Sequence, residues 1–362
     1  MQGCINATPV RQIRWIPRSE NTFMVLFDDG SIVLMDKDRE DTQFPPPNPL
    51  PPHVDRDNPH TNGQGHASKI PPPTLKVHKS LSASALPIMA GKKEREMAMR
   101  YNPLSYWELT HTSASAFDFS HDGKLLAVTS MQGHLSLLLW EKEVLTDVFT
   151  SYYGGLGCLA FSPDSRYLLC GGQDDMVSIF SIPERRLVGR GVGHHSWITG
   201  LAFDPYMSTD RAYRFGSVGD DGRLLLWELS SGTLVMPKQN TRPGHDRSGS
   251  VTSTTNPAAS STSLVRTAST IQGVTTYHPI VPRRECPTLA PIMERRIDDD
   301  PLVQIHFREK EVVTTCKEGI FDNEMRLIQV ILKSMIGRRP RRHSVIGVNR
   351  SVMRRQMREI GI

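Results

Sequence analysis

Phe119-Ser120-His121-Asp122-Gly123 returns as Phe161-Ser162-Pro163-Asp164-Ser165 and again as Phe203-Asp204-Pro205, each phenylalanine 42 residues after the one before. Gln132-Gly133 is echoed 42 residues on by Asp174-Asp175. Asp221-Gly222 follows 47 residues after that, because five extra residues lie between Asp204 and Arg214. Each unit closes on an apolar run: Leu135-Ser136-Leu137-Leu138-Leu139-Trp140, Met176-Val177-Ser178-Ile179-Phe180 and Leu224-Leu225-Leu226-Trp227. An earlier copy reads Val10 to Pro17, then Phe23 to Gly30, then Ser31 to Asp36. Side chains alternate between the two faces of a strand, so these short runs between turn residues predict strands, and four units of them.

Several short strands per unit, at a period of roughly 40–45, is the pattern of a WD40 β-propeller, an all-β fold of radially stacked sheets. The fourth unit carries a set of polar residues at telling distances. Asp221 lies six residues before Trp227, Ser217 four before that, and Gly193-His194 opens the unit. His194, Ser217, Asp221 and Trp227 are expected to join in one buried hydrogen-bonded chain, which would satisfy groups that are costly to bury unpaired. We read them as a structural tetrad stapling the blade, not as catalytic residues. The second unit offers His111, Ser130 and Trp140, with His134 where the aspartate is expected. The third keeps Asp174 but has Cys170 and Phe180, and the first keeps Asp29 alone.

The length does not fill a ring. Residues 42–100 hold Pro45-Pro46-Pro47-Asn48-Pro49-Leu50-Pro51-Pro52 and Pro71-Pro72-Pro73, a composition that extends as polyproline II and is expected to be a disordered insertion. The run at 45–52 reads either as a spacer or as a ligand for an SH3- or WW-type groove. Residues 236–290 contain 13 Ser or Thr among positions 248–270 and read as a second disordered linker. Without these segments and the last 43 residues, 205 remain, whereas WD40 rings typically hold about seven blades of some 40 residues. The expected layout is one blade in 1–41, three in 101–235, a partial blade in 291–319 and a basic, atypical tail in 320–362. Pro301 to Phe307 and Glu311 to Gly319 resemble the first two strands of a blade, whereas Ile320 to Leu332 is compatible with a helix.

Gln2-Gly3-Cys4-Ile5-Asn6, the loop Ile16-Pro17-Arg18-Ser19-Glu20-Asn21, Tyr153-Gly154-Gly155-Leu156, Gly193-His194-His195-Ser196-Trp197, Ala202 to Tyr206 and Tyr213 to Gly219 go beyond generic blade signals. In these motifs the chain resembles the fungal catabolite repression proteins of the creC type and the animal WD-repeat partners of ubiquitin-specific proteases. The likeness covers roughly residues 1–41, 100–235 and 286–319. It implies a non-catalytic scaffold that binds and stabilises or activates a ubiquitin-specific protease, in fungi within carbon catabolite repression. His195 and Trp197, at the rim of one propeller face, are the candidate partner-binding residues. Trp197 could instead be packed between blades. Family members extend upstream of Met1 and complete the blade after Gly319, so the sequence reads as a shortened or altered product.

Composition adds exclusions. The formal net charge is +5, 38% of residues are hydrophobic, and no run of 18 apolar residues could span a bilayer. No secretory signal precedes the first unit, which argues for the cytoplasm or nucleus. The five cysteines sit at scattered spacings without a CxxC pair, as expected of buried, reduced thiols rather than zinc ligands. We expect no cofactor, no metal and no small-molecule substrate, and find no Gly-x-Ser-x-Gly elbow, phosphate-binding glycine loop or His-Glu-x-x-His. Residues 326–358 carry ten Lys or Arg and no acid, but no aromatic residue to stack on bases, so nucleic-acid binding is the weaker alternative. A generic adaptor with other protein partners is the other.

Overall fold

The computed structural model describes residues 6, 8–41, 72–79, 101–236, 275–309 and 311–317, and 325–330 as backbone. The Ser/Thr tract 248–270, the proline run 45–52, Cys4 and the tail beyond 330 lie outside these residues. The described chain is all-β: five sheets of three to five strands, one two-strand pairing of Glu40–Asp41 with Tyr101–Asn102, and two short 3-10 turns.

The repeat maps onto the sheets strand by strand. The innermost strands are Val10–Trp15, Ala114–Phe119, Leu156–Phe161, Ile198–Phe203 and Leu302–Arg308, and the phenylalanines of the 42-residue echo are the last residues of the middle three. Each innermost strand is followed outward by antiparallel neighbours. The third sheet runs Leu156–Phe161, Tyr167–Gly172, Met176–Ser181, Arg186–Val192. Every innermost strand carries a bulge near its start, between Val10 and Gln12, Ala114 and Ala116, Leu156 and Cys158, Ile198 and Gly200, and Leu302 and Gln304. At two of them the bulged residue stitches its blade to the next. Ser115 Oγ donates to the Leu156 carbonyl, and Thr199 Oγ1 to that of Leu302, each at 2.5 Å.

The sheets stack face to face. Met24, Leu26 and Ile32 of the first meet Phe117, Phe119 and Leu126 of the second. Leu135, Leu137 and Phe149 of the second meet Leu168, Cys170 and Phe180 of the third. Leu169, Val177 and Ile179 of the third meet Phe203, Phe215 and Trp227 of the fourth. Val218 and Leu224 of the fourth meet Leu302, Ile305 and Val312 of the fifth. Because both faces of the middle sheets are covered, their strands read as nearly unbroken apolar runs such as Leu168-Leu169. Hydrophobic burial on both sides, at roughly 25 cal/mol per Å² of apolar surface, is the main force holding blade to blade.

The structure departs from the expected layout in four places, the first three through strand pairings distant in sequence. Leu75–Lys79, inside the insertion expected to be disordered, is the fifth strand of the first sheet, whose fourth strand is Ser105–Leu109. Thr276–His278 and Thr288–Leu289, inside the expected linker, run parallel to the outer strands of the second and third sheets. Met293–Arg296, assigned to a partial blade, closes the fourth sheet. Met325–Val330 is a strand against Glu311–Lys317 rather than helix. An unpaired strand edge is a ladder of open donors and acceptors, and these segments fill those edges.

Candidate functional site

In the fourth sheet the structure brings His194, Ser217, Asp221 and Trp227 together. Trp227 Nε1 donates to Ser217 Oγ at 2.8 Å, and Ser217 Oγ lies 2.7 Å from His194 Nε2. His194 Nδ1 is 3.0 and 3.2 Å from the two oxygens of Asp221. One proton arrangement fits all of these. Indole can only donate, so the serine hydroxyl hydrogen turns to Nε2 and the imidazole, neutral, gives its Nδ1–H to Asp221. Asp221 also accepts from the amides of His195 at 3.0 Å and Arg223 at 3.1 Å. Burial holds His194 below the ordinary imidazole range against the pull of Asp221. For Asp221 burial acts upward, yet the His195 amide and the His194 ring outweigh it and the carboxyl sits below its usual range.

Serine, histidine and aspartate in this order also describe a hydrolytic triad. Access decides between the readings. Ser217 is fully buried, at 0% exposure, and its oxygen is already held by both Trp227 and His194. Trp227 is itself buried and stacks on Phe215 with ring centroids 6.0 Å apart. A nucleophile there has no room for a substrate carbonyl. The arrangement can tie the second and third strands of the blade, a tight turn and the loop arriving from the third sheet into one unit.

Other blades hold reduced versions around the same turn, where Gly30, Gly133 and Gly222 adopt positive φ and Asp175 takes their place in the third sheet. In the first, Asp29 accepts from the Ser31 hydroxyl and from Asn6 Nδ2 at 2.8 Å, so Asn6 stands in for the histidine. In the third, Asp174 has no histidine, one carboxylate oxygen is unpaired, and burial pushes its pKa up to about 6. The second sheet corrects the sequence reading. Gln132, not His134, occupies the aspartate position and accepts from the Ser113 amide at 2.7 Å. Trp140 lies beyond the strand in a 3-10 turn and donates to the Gly123 carbonyl rather than to Ser130. Counting back from tryptophan misplaces the turn by two, because Trp140 ends a longer excursion than Trp227 does.

His195 and Trp197 follow His194 on the loop into the fourth sheet. Trp197 is 51% exposed. Met131 and the equivalent loop residues Tyr152 and Tyr153 are exposed on the same rim, a surface that the repeat pattern alone did not pick out. The four described cysteines, Cys158, Cys170, Cys286 and Cys316, are buried, and burial pushes Cys158 up to about 12, which keeps that thiol unreactive. Among the described residues no cluster of His, Cys, Asp and Glu could hold a metal, and no helix is long and apolar enough to cross a membrane.

Stacked sheets of three to five strands on a 42-residue repeat, with this tetrad at one blade, are the WD40-repeat fold. The family model described as "WD domain, G-beta repeat" matches residues 144–181. That span runs from the outer strand of the second sheet through three strands of the third, so the sequence repeat is offset from the blade by one strand. The chain is 31% identical over 330 residues to the UBP9-binding protein bun62 of Schizosaccharomyces pombe, covering 88% of this chain and 55% of that protein. It is also 31% identical over 206 residues to the WD repeat-containing protein 20 homolog of Caenorhabditis elegans, covering 57% of this chain and 23% of that one. The chain thus spans about half the length of the first relative and less than a quarter of the second. Among solved structures, that of U3-55K matches with a TM-score of 0.38 at 12% identity, over 60% of this chain and 49% of that one. The RRP9 WD40 repeats match at 0.30 and 17%, over 32% and 35%. At these scores neither structural likeness carries an argument.

Proposed function

We propose that the chain is a non-catalytic scaffold that binds a ubiquitin-specific protease through the rim bearing His195 and Trp197, with the His194–Ser217–Asp221–Trp227 chain as the staple that holds this rim rigid. The observation carrying the reading is the coupling of an exposed anchor to a fixed base: Trp197 presents half its surface to solvent two residues after an amide bonded to Asp221, whose side chain is 7% exposed. A large aromatic side chain on a pre-ordered loop gives contact area with little ordering cost, and tryptophan is over-represented among residues that dominate interfaces. Similarity to a protein named for binding UBP9 supports the class of partner. The buried serine supports the absence of catalysis.

Pull-down of the chain with a ubiquitin-specific protease tests this. Trp197→Ala is expected to weaken binding at least tenfold with an unchanged melting temperature. Failure to recover any such protease would remove the partner, and equal affinity in Trp197→Ala would remove only the site. A place in carbon catabolite repression, in the cytoplasm or nucleus, is the finer part of the proposal and rests on the motif likeness to creC-type proteins. Loss of the gene in glucose-grown fungal cells is then expected to release enzymes for alternative carbon sources, and continued repression would refute that part alone.

A further inference from the structure

Between the second and third sheets the structure carries a second polar feature that the tetrad does not use. Arg190, on the outer strand of the third sheet, is 2% exposed. Its Nη2 donates to the Val281 carbonyl at 2.9 Å, but Nε and Nη1 have no acceptor among the described residues. No described carboxylate lies within ion-pair distance. Asp174 feels the guanidinium only from farther away, and Asp147 is taken by His278 at 2.9 Å. A buried charge without a counter-charge is unfavourable unless something supplies one.

The surroundings specify what that something is. Arg190 lines a cavity of about 120 Å³ together with Phe149, Phe180, Leu187 and Ser178, and Tyr152 lies over the guanidinium with 5.1 Å from its carbon to the ring centroid. Small-molecule sites usually run to roughly 300–1,000 Å³, so this one is too small for a nucleotide or cofactor and suits one side chain. Its apolar walls favour a methylene stem, and the one buried guanidinium, with the exposed Arg186 and the hydroxyls of Ser178, Thr150 and Ser151 also on the lining, favours a compact anionic head. Tyr152 is 41% exposed, on the loop equivalent to the one carrying Trp197, so it can swing away from Arg190 without unpacking a blade.

We propose that this cavity receives the carboxylate of one glutamate or aspartate side chain from a bound polypeptide, with Arg190 as its partner and Tyr152 as the cover. The proposal holds whichever polypeptide the scaffold binds, and its test contains no protease. Arginine Nε–H spectra of the full chain are followed during titration with N-acetylglutamate amide at constant ionic strength, with chloride and inorganic phosphate as comparison anions. The Arg190 signal, identified by its loss in Arg190→Lys, is expected to move saturably with the glutamate compound and at least tenfold more weakly with chloride. Tyr152→Ala, an exposed-loop change, is expected to tighten that response threefold or more. A stronger response to phosphate overturns the carboxylate assignment. An unsaturable shift, or one identical for all three anions in both proteins, means that Arg190 is a structural residue only and overturns the site.

Discussion

Tyr213 of the fourth sheet donates its hydroxyl to Asp164 Oδ2, in the turn of the third sheet, at 2.6 Å. The bond crosses a blade boundary and ties a core aromatic to a carboxylate that also accepts from the Ser162 hydroxyl and the Arg166 amide. Burial and the neighbouring carboxylate push the phenol up to about 12, so it stays a donor at any ordinary pH. Tyr213→Phe keeps the ring and removes the bond. It is expected to cost about 1–2 kcal/mol in urea unfolding, and Asp164→Ala added to it should cost less than it does alone.

The tetrad gives a second expectation. Asp221→Ala leaves the His194 ring and two amides without their acceptor and should destabilise by about 1–3 kcal/mol. Any loss of partner binding should track loss of folding, with no change in hydrolytic activity. Equal melting temperatures for Asp221→Ala and the parent would dismiss the staple role.

The same histidine sets a pH dependence. Its folded pKa lies below the unfolded value, so between the two the unfolded chain holds the extra proton. The stabilisation is fully present above about pH 6.5 and is lost as pH falls through the depressed folded value. Melting curves from pH 7.5 to 5 should show this fall, and His194→Gln, already less stable at pH 7.5, should show a flatter one.

Asp174 has the opposite sign. Its carboxyl titrates at about 6 in the fold against 3.8 ordinarily, so the folded state holds the extra proton in that window and stability declines as pH rises through it. Asp174→Asn keeps an acceptor for the Met176 amide and removes the buried charge. It should raise stability by on the order of 2 kcal/mol at pH 7.5 and change little at pH 3.5. A destabilised Asn variant at pH 7.5 would mean that the charge is compensated in a way the geometry does not contain.

What was legible in the sequence is what repeats locally. Phe119, Phe161 and Phe203 mark strand ends, and the spacing from His194 to Trp227 places four side chains in contact. Leu75–Lys79, Thr276–His278 and Thr288–Leu289 were not legible, because a short strand on a distant edge has no periodic signal of its own. Its pairing is decided by an open edge far away in the sequence. Trp140 misled because a residue count stands for a position in space only while strand lengths stay equal. Arg190 stood among other charged residues in Arg185-Arg186-Leu187-Val188-Gly189-Arg190, and nothing in that string says which arginine is buried.

The segment 275–296 lays itself along the outer edges of the second and third sheets and then supplies the last strand of the fourth. On the ribosome, which makes the chain from the N-terminus at about 5–20 residues per second, three blades therefore wait with open outer edges until residues 276, 288 and 293 emerge. His278, stacked on Phe149 at 4.1 Å and bonded to Asp147, acts as a late latch on work begun well over a hundred residues earlier. Nascent chains are consequently most exposed to misassociation and to chaperone capture in that interval. The damage from a defective latch should appear as a lower yield of folded protein rather than as a weaker protein once made.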